Sequence, residues 1–338
     1  MKFRTVFQPT PSAVKLSINR PILFCGSCFS DYICSRLKRS LWSGENMGGT
    51  LFNPISISYA IKILLLEDNE AQLLRMIKDS LIQHDGVWHS LLFDSSCSDT
   101  DKNKVIEKIL LRRRKAQSLL EYNADMIITF GTAWTYAMIE AGTAMEGKIV
   151  GNCHKLPAHL FERRLLDPSE IIEEWYEVIS ELKARRPDMH FIFTLSPVRH
   201  IKDGLAGNSF SKSILRVSIE NLIKEFSEEY PDSFDYFPAY EIVNDDLRDY
   251  RFYQSDLLHP NDQAVDYIWE KFTETYLNVE QSKLLAEGEN ILKGLNHRPL
   301  IERHEIERER MQSLRNKYKE LQKKWHEVSN IEFSAYGI

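Results

Sequence analysis

Four short apolar runs, each closing on glycine, serine or proline, constrain the fold of this chain more than any other feature. They are "PILFCGS" (Pro21 to Ser27), "ADMIITFGT" (Ala124 to Thr132), "MHFIFTLSP" (Met189 to Pro197) and the weaker "FDYFPAY" (Phe234 to Tyr240). Strongly periodic segments separate them: Ile55 to Leu66, Lys104 to Leu120, Pro168 to Arg186 and Ile214 to Glu229, each with the spacing of an amphipathic helix. A further amphipathic stretch leads from the first run to near Leu41, and Pro168-Ser169-Glu170 reads as a helix start. Short buried strands alternating with helices predict an α/β fold, a mostly parallel sheet with helices on both faces. In such sheets ligands bind beyond the carboxyl ends of the strands. Gly26-Ser27, Gly131-Thr132 and Ser196-Pro197 all fall at such ends.

Composition narrows the function classes. A chain of 338 residues, 43% hydrophobic and 27% charged, has the balance of an ordinary globular protein. Its formal net charge of −6 argues against a general nucleic-acid binder, and the one dense basic run, "LRRRK" at Leu111 to Lys115, reads as a solvated helix face. No segment approaches the roughly 18 consecutive apolar residues of a membrane span. The first residues mix Arg, Gln, Pro and Lys into their apolar positions, unlike a secretory signal. The five cysteines, Cys25, Cys28, Cys34, Cys97 and Cys153, are odd in number and form no disulfide framework. A reduced, cytoplasmic setting is the expectation.

"CGSC" at Cys25 to Cys28 poses the chemical question. Its spacing is that of a thiol redox pair, and a cysteine at a helix N-terminus has a lowered pKa. Yet Cys25 follows Leu23 and Phe24 as the last residue of a strand, where cysteine behaves as a small inert hydrophobe. The serine between them has a distant partner. "YRFYQSDLLHPNDQAV" (Tyr250 to Val265) places Asp256 three residues before His259, with Pro260 opening the last helix of the unit. A histidine can take the proton of a serine hydroxyl near neutral pH, and an acid held against its other nitrogen orients the ring and stabilises its charged form.

Gly26-Ser27 after the first strand and Asp256-Leu257-Leu258-His259-Pro260 near the end resemble the first and last blocks of the SGNH/GDSL hydrolases. More narrowly, "GSCFS" resembles the signature of the GSCFA family, which usually ends in alanine where Ser30 stands here. "LFNPIS" (Leu51 to Ser56), "FGTAW" (Phe130 to Trp134), "GNCHKLPA" (Gly151 to Ala158) and "LSPVRHIKDG" (Leu195 to Gly204) extend the likeness over roughly Pro21 to Tyr276. The resemblance implies a flavodoxin-like three-layer α/β/α sandwich in a serine-esterase clan, with no cofactor. Carried over, Ser27 is the nucleophile, His259 the general base and Asp256 its orienting acid. The main-chain N–H of Ser27 is one oxyanion donor, and Gly48 or Gly49, after the second strand, supplies another. The clan's third block carries an asparagine whose side chain also donates to the oxyanion. Here Ala133 takes that position, so Asn152, with Thr132 second, is the candidate replacement.

Other residues admit two readings each. His154 and Lys155 line the pocket or form a turn. Arg199 and His200 face a carboxylate, phosphate or sugar of the substrate, or close an internal salt bridge. Trp134, Tyr136, Tyr250, Phe252 and Tyr253 form a platform for a sugar ring, or core. His84 and His89 fall in a loop or insertion. The histidines fit no familiar zinc spacing, so no metal is assigned. Residues 1–278 form the hydrolase-like domain and 279–338 a charged helical extension. In the extension Met311, Leu314, Tyr318, Leu321, Trp325 and Val328 lie on one stripe, which packs on the domain itself or mediates self-association. The expected function is a serine esterase or acyltransferase acting on a small-molecule or glycan ester, possible O-acylated glycans included. The alternatives are a binding protein on a fold that has lost catalysis, and a thiol redox protein.

Overall fold

The computed structural model describes residues 4–65, 70–297 and 304–325. Strand β1 (Ile22–Gly26), helix α1 (Cys28–Lys38) and β2 (Gly44–Thr50) open the domain. Helices α2 (Pro54–Leu65) and α3 (Glu70–Asp79) lead to a hairpin of β3 (Leu81–His84) and β4 (Val87–Ser90), then to α4 (Lys102–Glu121) and β5 (Asp125–Phe130). A second hairpin, β6 (Trp134–Met138) with β7 (Phe161–Leu165), precedes α5 (Pro168–Arg185), β8 (Phe191–Leu195), α6 (Gly204–Glu229) and β9 (Phe234–Phe237). The short α7 (Ala239–Glu241) is followed by α8 (Asp262–Tyr276), α9 (Val279–Asn296) and α10 (His304–Lys324).

Five strands form one parallel sheet in the order β2-β1-β5-β8-β9. Taken by their order of appearance within the sheet, that is 2-1-3-4-5, the flavodoxin-like winding. The sheet is buried on both faces, which is why its strands read as near-continuous apolar runs. Leu23, Cys25, Met126, Ile128, Phe191 and Phe193 belong to one core cluster, shared with α2, α4, α5 and α6. Ile22, Phe24, Ile127, Ile192 and Phe237 belong to a second, shared with α1 and α8. The strict alternation makes the three layers of the sandwich. Winding reverses between β1 and β5, so a crevice opens there at the carboxyl edge.

Of the two readings for the segment with His84 and His89, the insertion holds: it is the separate β3–β4 hairpin, turning through Asp85 and Gly86, both at positive φ. Two local expectations change. Helix α6 begins at Gly204, well before Ile214, because Asn208, Ser211 and Lys212 occupy buried positions on it. Gly48 and Gly49 lie inside β2 rather than after it. The register passes from Phe24–Asn46 to Gly26–Thr50, and the bulge so formed holds both glycines.

Helices α9 and α10 complete the second core. Met311, Leu314, Tyr318, Leu321 and Trp325 are buried with Leu284, Leu285 and Ile291 and with the α8 residues Ile268 and Trp269; Val328 lies outside the described residues. Trp325 is fully buried and its Nε1–H donates to the Ile18 carbonyl at 2.9 Å. Trp325→Ala should therefore cost about 3–5 kcal/mol, as for other buried tryptophans. Urea unfolding monitored by circular dichroism measures it, and an unchanged midpoint would mean the helix adds nothing to domain stability. No helix among the described residues is long and apolar enough to cross a membrane.

Candidate active site

Strand β1 ends on Gly26 with φ at 135°, where a Cβ would stand 2.1 Å from the Thr129 carbonyl oxygen of β5. Only glycine lets the two strands meet so closely. The chain then turns, and Ser27 becomes the N-cap of α1, its Oγ accepting from the Phe29 N–H at 3.3 Å. The helix N-terminus favours negative charge at that oxygen. Ser27 is 1% exposed, and its own N–H donates to the Thr129 carbonyl at 3.3 Å. Ser30, at the position where the signature usually has alanine, donates from Oγ to Thr129 Oγ1 at 2.8 Å and so ties the first turn of α1 to β5.

The neighbouring thiols are set up for packing. Cys25 is buried in the first core, and burial drives its pKa far upward. Burial, and then the charge of Asp31, pushes Cys28 up to about 11. Redox pairs need the opposite shift, and both cysteines are free thiols.

Asp256 and His259 share a tight loop before α8, closed by a bridge between Tyr253 and Pro260. Asp256 Oδ1 accepts from the N–H groups of Leu258 (2.9 Å) and His259 (3.0 Å), and Oδ2 lies 2.6 Å from His259 Nδ1. The His259 N–H, the Leu258 N–H and the imidazole together hold the carboxyl down at about 2. A carboxylate on Nδ1 keeps the proton there and leaves Nε2 as the acceptor. Gln254 donates from its N–H to the His259 carbonyl (2.7 Å) and from Nε2 to the Tyr32 hydroxyl of α1 (3.3 Å), so the loop rests on the helix that Ser27 caps. Among the described residues Ser27 and His259 form no direct hydrogen bond. Catalytic hydrogen bonds of free enzymes commonly tighten only with substrate bound.

The loop after β5 spends its donors internally. The N–H groups of Gly131 and Thr132 both donate to the Phe52 carbonyl, at 2.8 and 3.0 Å. Ala133 N–H donates to Ser211 Oγ at 2.7 Å, and Trp134 N–H to Thr132 Oγ1 at 3.1 Å. Sequence reasoning missed the group beneath this loop. Lys212 of α6, 3% exposed, donates from Nζ to the carbonyls of Gly131 (2.6 Å) and Ser196 (2.7 Å), joining the ends of β5 and β8. Burial lowers its pKa to about 7, and among the described residues it has no acidic partner within ion-pair distance.

The remaining candidates fall into separate places. Gly49, at φ 66°, faces the Asp94 carboxylate, which a Cβ would meet at 2.4 Å, and Gly48 faces Leu51. Asn152 Oδ1 accepts from the His154 N–H at 2.8 Å, holding a turn. His154 has φ 46°, puts Nε2 2.8 Å from the Ser90 carbonyl and stacks on His89. Arg199 reaches Asn244 Oδ1 at 3.1 Å rather than an acid. A cavity of about 440 Å³ gathers Phe52, Thr132, Trp134, Asn152, His154 and His200. Tyr136 also lines it, whereas Tyr250, Phe252, Tyr253 and Arg199 do not, so the aromatic cluster divides in two. Arg163 of β7 lies over the Trp134 ring at 3.9 Å. Burial pushes His200 down to about 4, aided by the charges of Lys212, Arg163 and His259. The lining includes neither Ser27 nor His259; it is linked to the site through Phe52, whose carbonyl anchors the β5 loop, and through His200, which feels the charge of His259. Among the described residues no group of three or more His, Cys, Asp or Glu could hold a metal ion.

A comparison with curated proteins gives no match. The GSCFA family model matches residues 21–272, from the start of β1 into α8, and so takes in Ser27, the β5 loop and the Asp256–His259 pair. With most of its length covered, and with all five strands of the central sheet inside the match, the chain belongs to the GSCFA family.

Proposed function

We propose that the protein is a serine esterase or acyltransferase acting on carboxylic esters. The observation that carries this reading is the 2.6 Å contact between Asp256 and His259, in a loop resting on the helix capped by Ser27. His259 Nε2 takes the Ser27 proton as Oγ bonds to the ester carbonyl carbon. The tetrahedral oxyanion then collapses, the alcohol leaves with the proton from His259, and an acyl-Ser27 remains. Water or a sugar hydroxyl, deprotonated by the same imidazole, releases the acyl group and restores Ser27. Asp256 stays ionised and stabilises the imidazolium. An O-acylated glycan is the proposed substrate class.

One observation favours a second reading, that of an SGNH-type fold retained for binding. The Ser27 N–H and those of Gly131, Thr132 and Ala133 all have partners within the protein, and no asparagine stands at Ala133. A missing oxyanion donor costs an enzyme about 100-fold to 1,000-fold in turnover. A fluorophosphonate separates the two readings, because Ser27 Oγ forms a P–O bond and expels fluoride only if activated. Labelling mapped to Ser27 by mass spectrometry, and slowed in His259→Ala, is the expected result. A folded protein left unlabelled would favour the binding reading.

A further inference from the structure

The cavity lined by the β5 loop and His200 has a composition that neither an acyl chain nor a neutral sugar explains. Phe52, Trp134 and Tyr136 give it aromatic walls, while Lys155, Arg163 and Lys202 bring three cations against the single carboxylate of Asp203. This local excess stands in a chain whose formal net charge is −6. Arg163 is stacked over Trp134 at 3.9 Å and lies 5.8 Å from the Tyr136 ring, and one of its terminal nitrogens is bonded to Asp203. Trp134 adds a second, independent observation. Its Nε1–H is buried and has no hydrogen-bond partner among the described residues, a condition that costs free energy until an acceptor arrives.

Size and chemistry together select the ligand. A volume of about 440 Å³ is within the range of small-molecule sites, and exceeds what a free inorganic anion needs. A lipid tail would leave the cations desolvated without a counter-charge. A neutral sugar would use the aromatic walls and leave the charges unanswered. We propose that this cavity is the subsite for an acidic sugar unit, a pyranose-sized ring bearing a carboxylate or phosphate, in the glycan whose ester Ser27 attacks. The ring packs on Trp134 and Tyr136, its anion faces Arg163 and Lys202, and a ring or anion oxygen accepts from Trp134 Nε1–H. The assignment of this unit to a substrate rests on the hydrolase reading, but its binding does not.

The test uses sugars that carry no ester, so that binding is read without turnover. In wild-type protein labelled with ¹⁵N at its six tryptophans, Trp134→Phe identifies the indole resonance of Trp134. Glucuronate, glucose 6-phosphate, glucose and inorganic phosphate are then titrated separately. Glucuronate or glucose 6-phosphate should shift that resonance saturably, and whichever binds tighter tells carboxylate from phosphate. Glucose should bind about tenfold or more weaker, the loss expected for one charge-assisted contact, and inorganic phosphate should also bind weaker, because it lacks the ring that packs on the aromatic walls. Arg163→Met and Lys202→Met should each weaken the acidic sugar by a similar factor, with the other five indole signals unmoved as the control for folding. Equal affinity for glucose, no shift with either acidic sugar, or affinity that survives both substitutions would overturn the proposal. Fluorophosphonate labelling of Ser27 with no sugar binding would overturn the subsite alone, and binding with no labelling would overturn the hydrolase alone.

Discussion

Ser27→Ala should lower ester hydrolysis by about 10⁴-fold or more, the loss seen when a nucleophile that acts with its base is removed. p-Nitrophenyl acetate hydrolysis by the purified variant measures it. The fold should survive, because the substitution removes one N-cap of α1, worth about 1 kcal/mol, and leaves Gly26 and the Thr129 contact in place. His259→Ala should fall nearly as far, and the double variant no further, since the two groups act in the same proton transfer. Cys28→Ser provides the control. Its thiol is raised to about 11 and is protonated at neutral pH, so its loss should leave turnover within a few-fold. Cys25→Ser is a poorer control, because the residue belongs to the buried core. An undiminished rate in Ser27→Ala, or a rate lost only in Cys28→Ser, would refute the serine mechanism.

The sheet was legible in the sequence because strands buried on both faces leave nothing to periodicity but length and punctuation. "ILFCG", "DMIITF" and "FIFTL" could be helix or strand by hydropathy, and their glycine and proline closures decide for strand. The turn at Ser27 and the contact between Asp256 and His259 were legible because each depends on a local motif, the first at the closure of β1 and the second in the loop before α8. What escaped depends on pairing between distant segments. Arg163 faces Tyr136 in the β6–β7 register and lies over Trp134, a contact across a hairpin whose long loop hides the partnership. The bulge holding Gly48 and Gly49 is a mismatch of register between β1 and β2, which neither strand reveals alone. Lys212 was within reach. Asn208, Ser211 and Lys212 continue the buried stripe of Leu215, Ile219, Leu222 and Phe226 along α6. Polar residues on the apolar side of a helical repeat are the signal, and here they face the ends of β5 and β8.

Lys212→Met should destabilise the protein more at pH 9 than at pH 6, and the reason lies in the proton that the buried amine carries. In the folded chain Lys212 titrates near 7, against an ordinary value of 10.5. Below about 7 both folded and unfolded chains hold the charge, and the folded state bears the full cost of burying it. Between about 7 and 10.5 the unfolded chain binds more protons than the folded one, so wild-type stability rises with pH across that window. Methionine has no such term. It removes the buried charge, which is favourable at pH 6, and at every pH it leaves the Gly131 and Ser196 carbonyls without their donor, at about 1–3 kcal/mol each. At pH 6 the two effects oppose each other and the net loss should be small. By pH 9 the wild-type amine is largely neutral in the folded chain and still donates to both carbonyls, so more than half of the burial cost has lapsed and the loss of the two hydrogen bonds weighs more heavily. Urea unfolding of both proteins at pH 6, 7.5 and 9 reads the difference directly, and groups common to both largely cancel. A gap that stays constant, or narrows as pH rises, would mean that Lys212 remains charged in the folded state. In that case the Gly131 and Ser196 carbonyls that accept from Nζ must stabilise the charged amine enough to offset its burial.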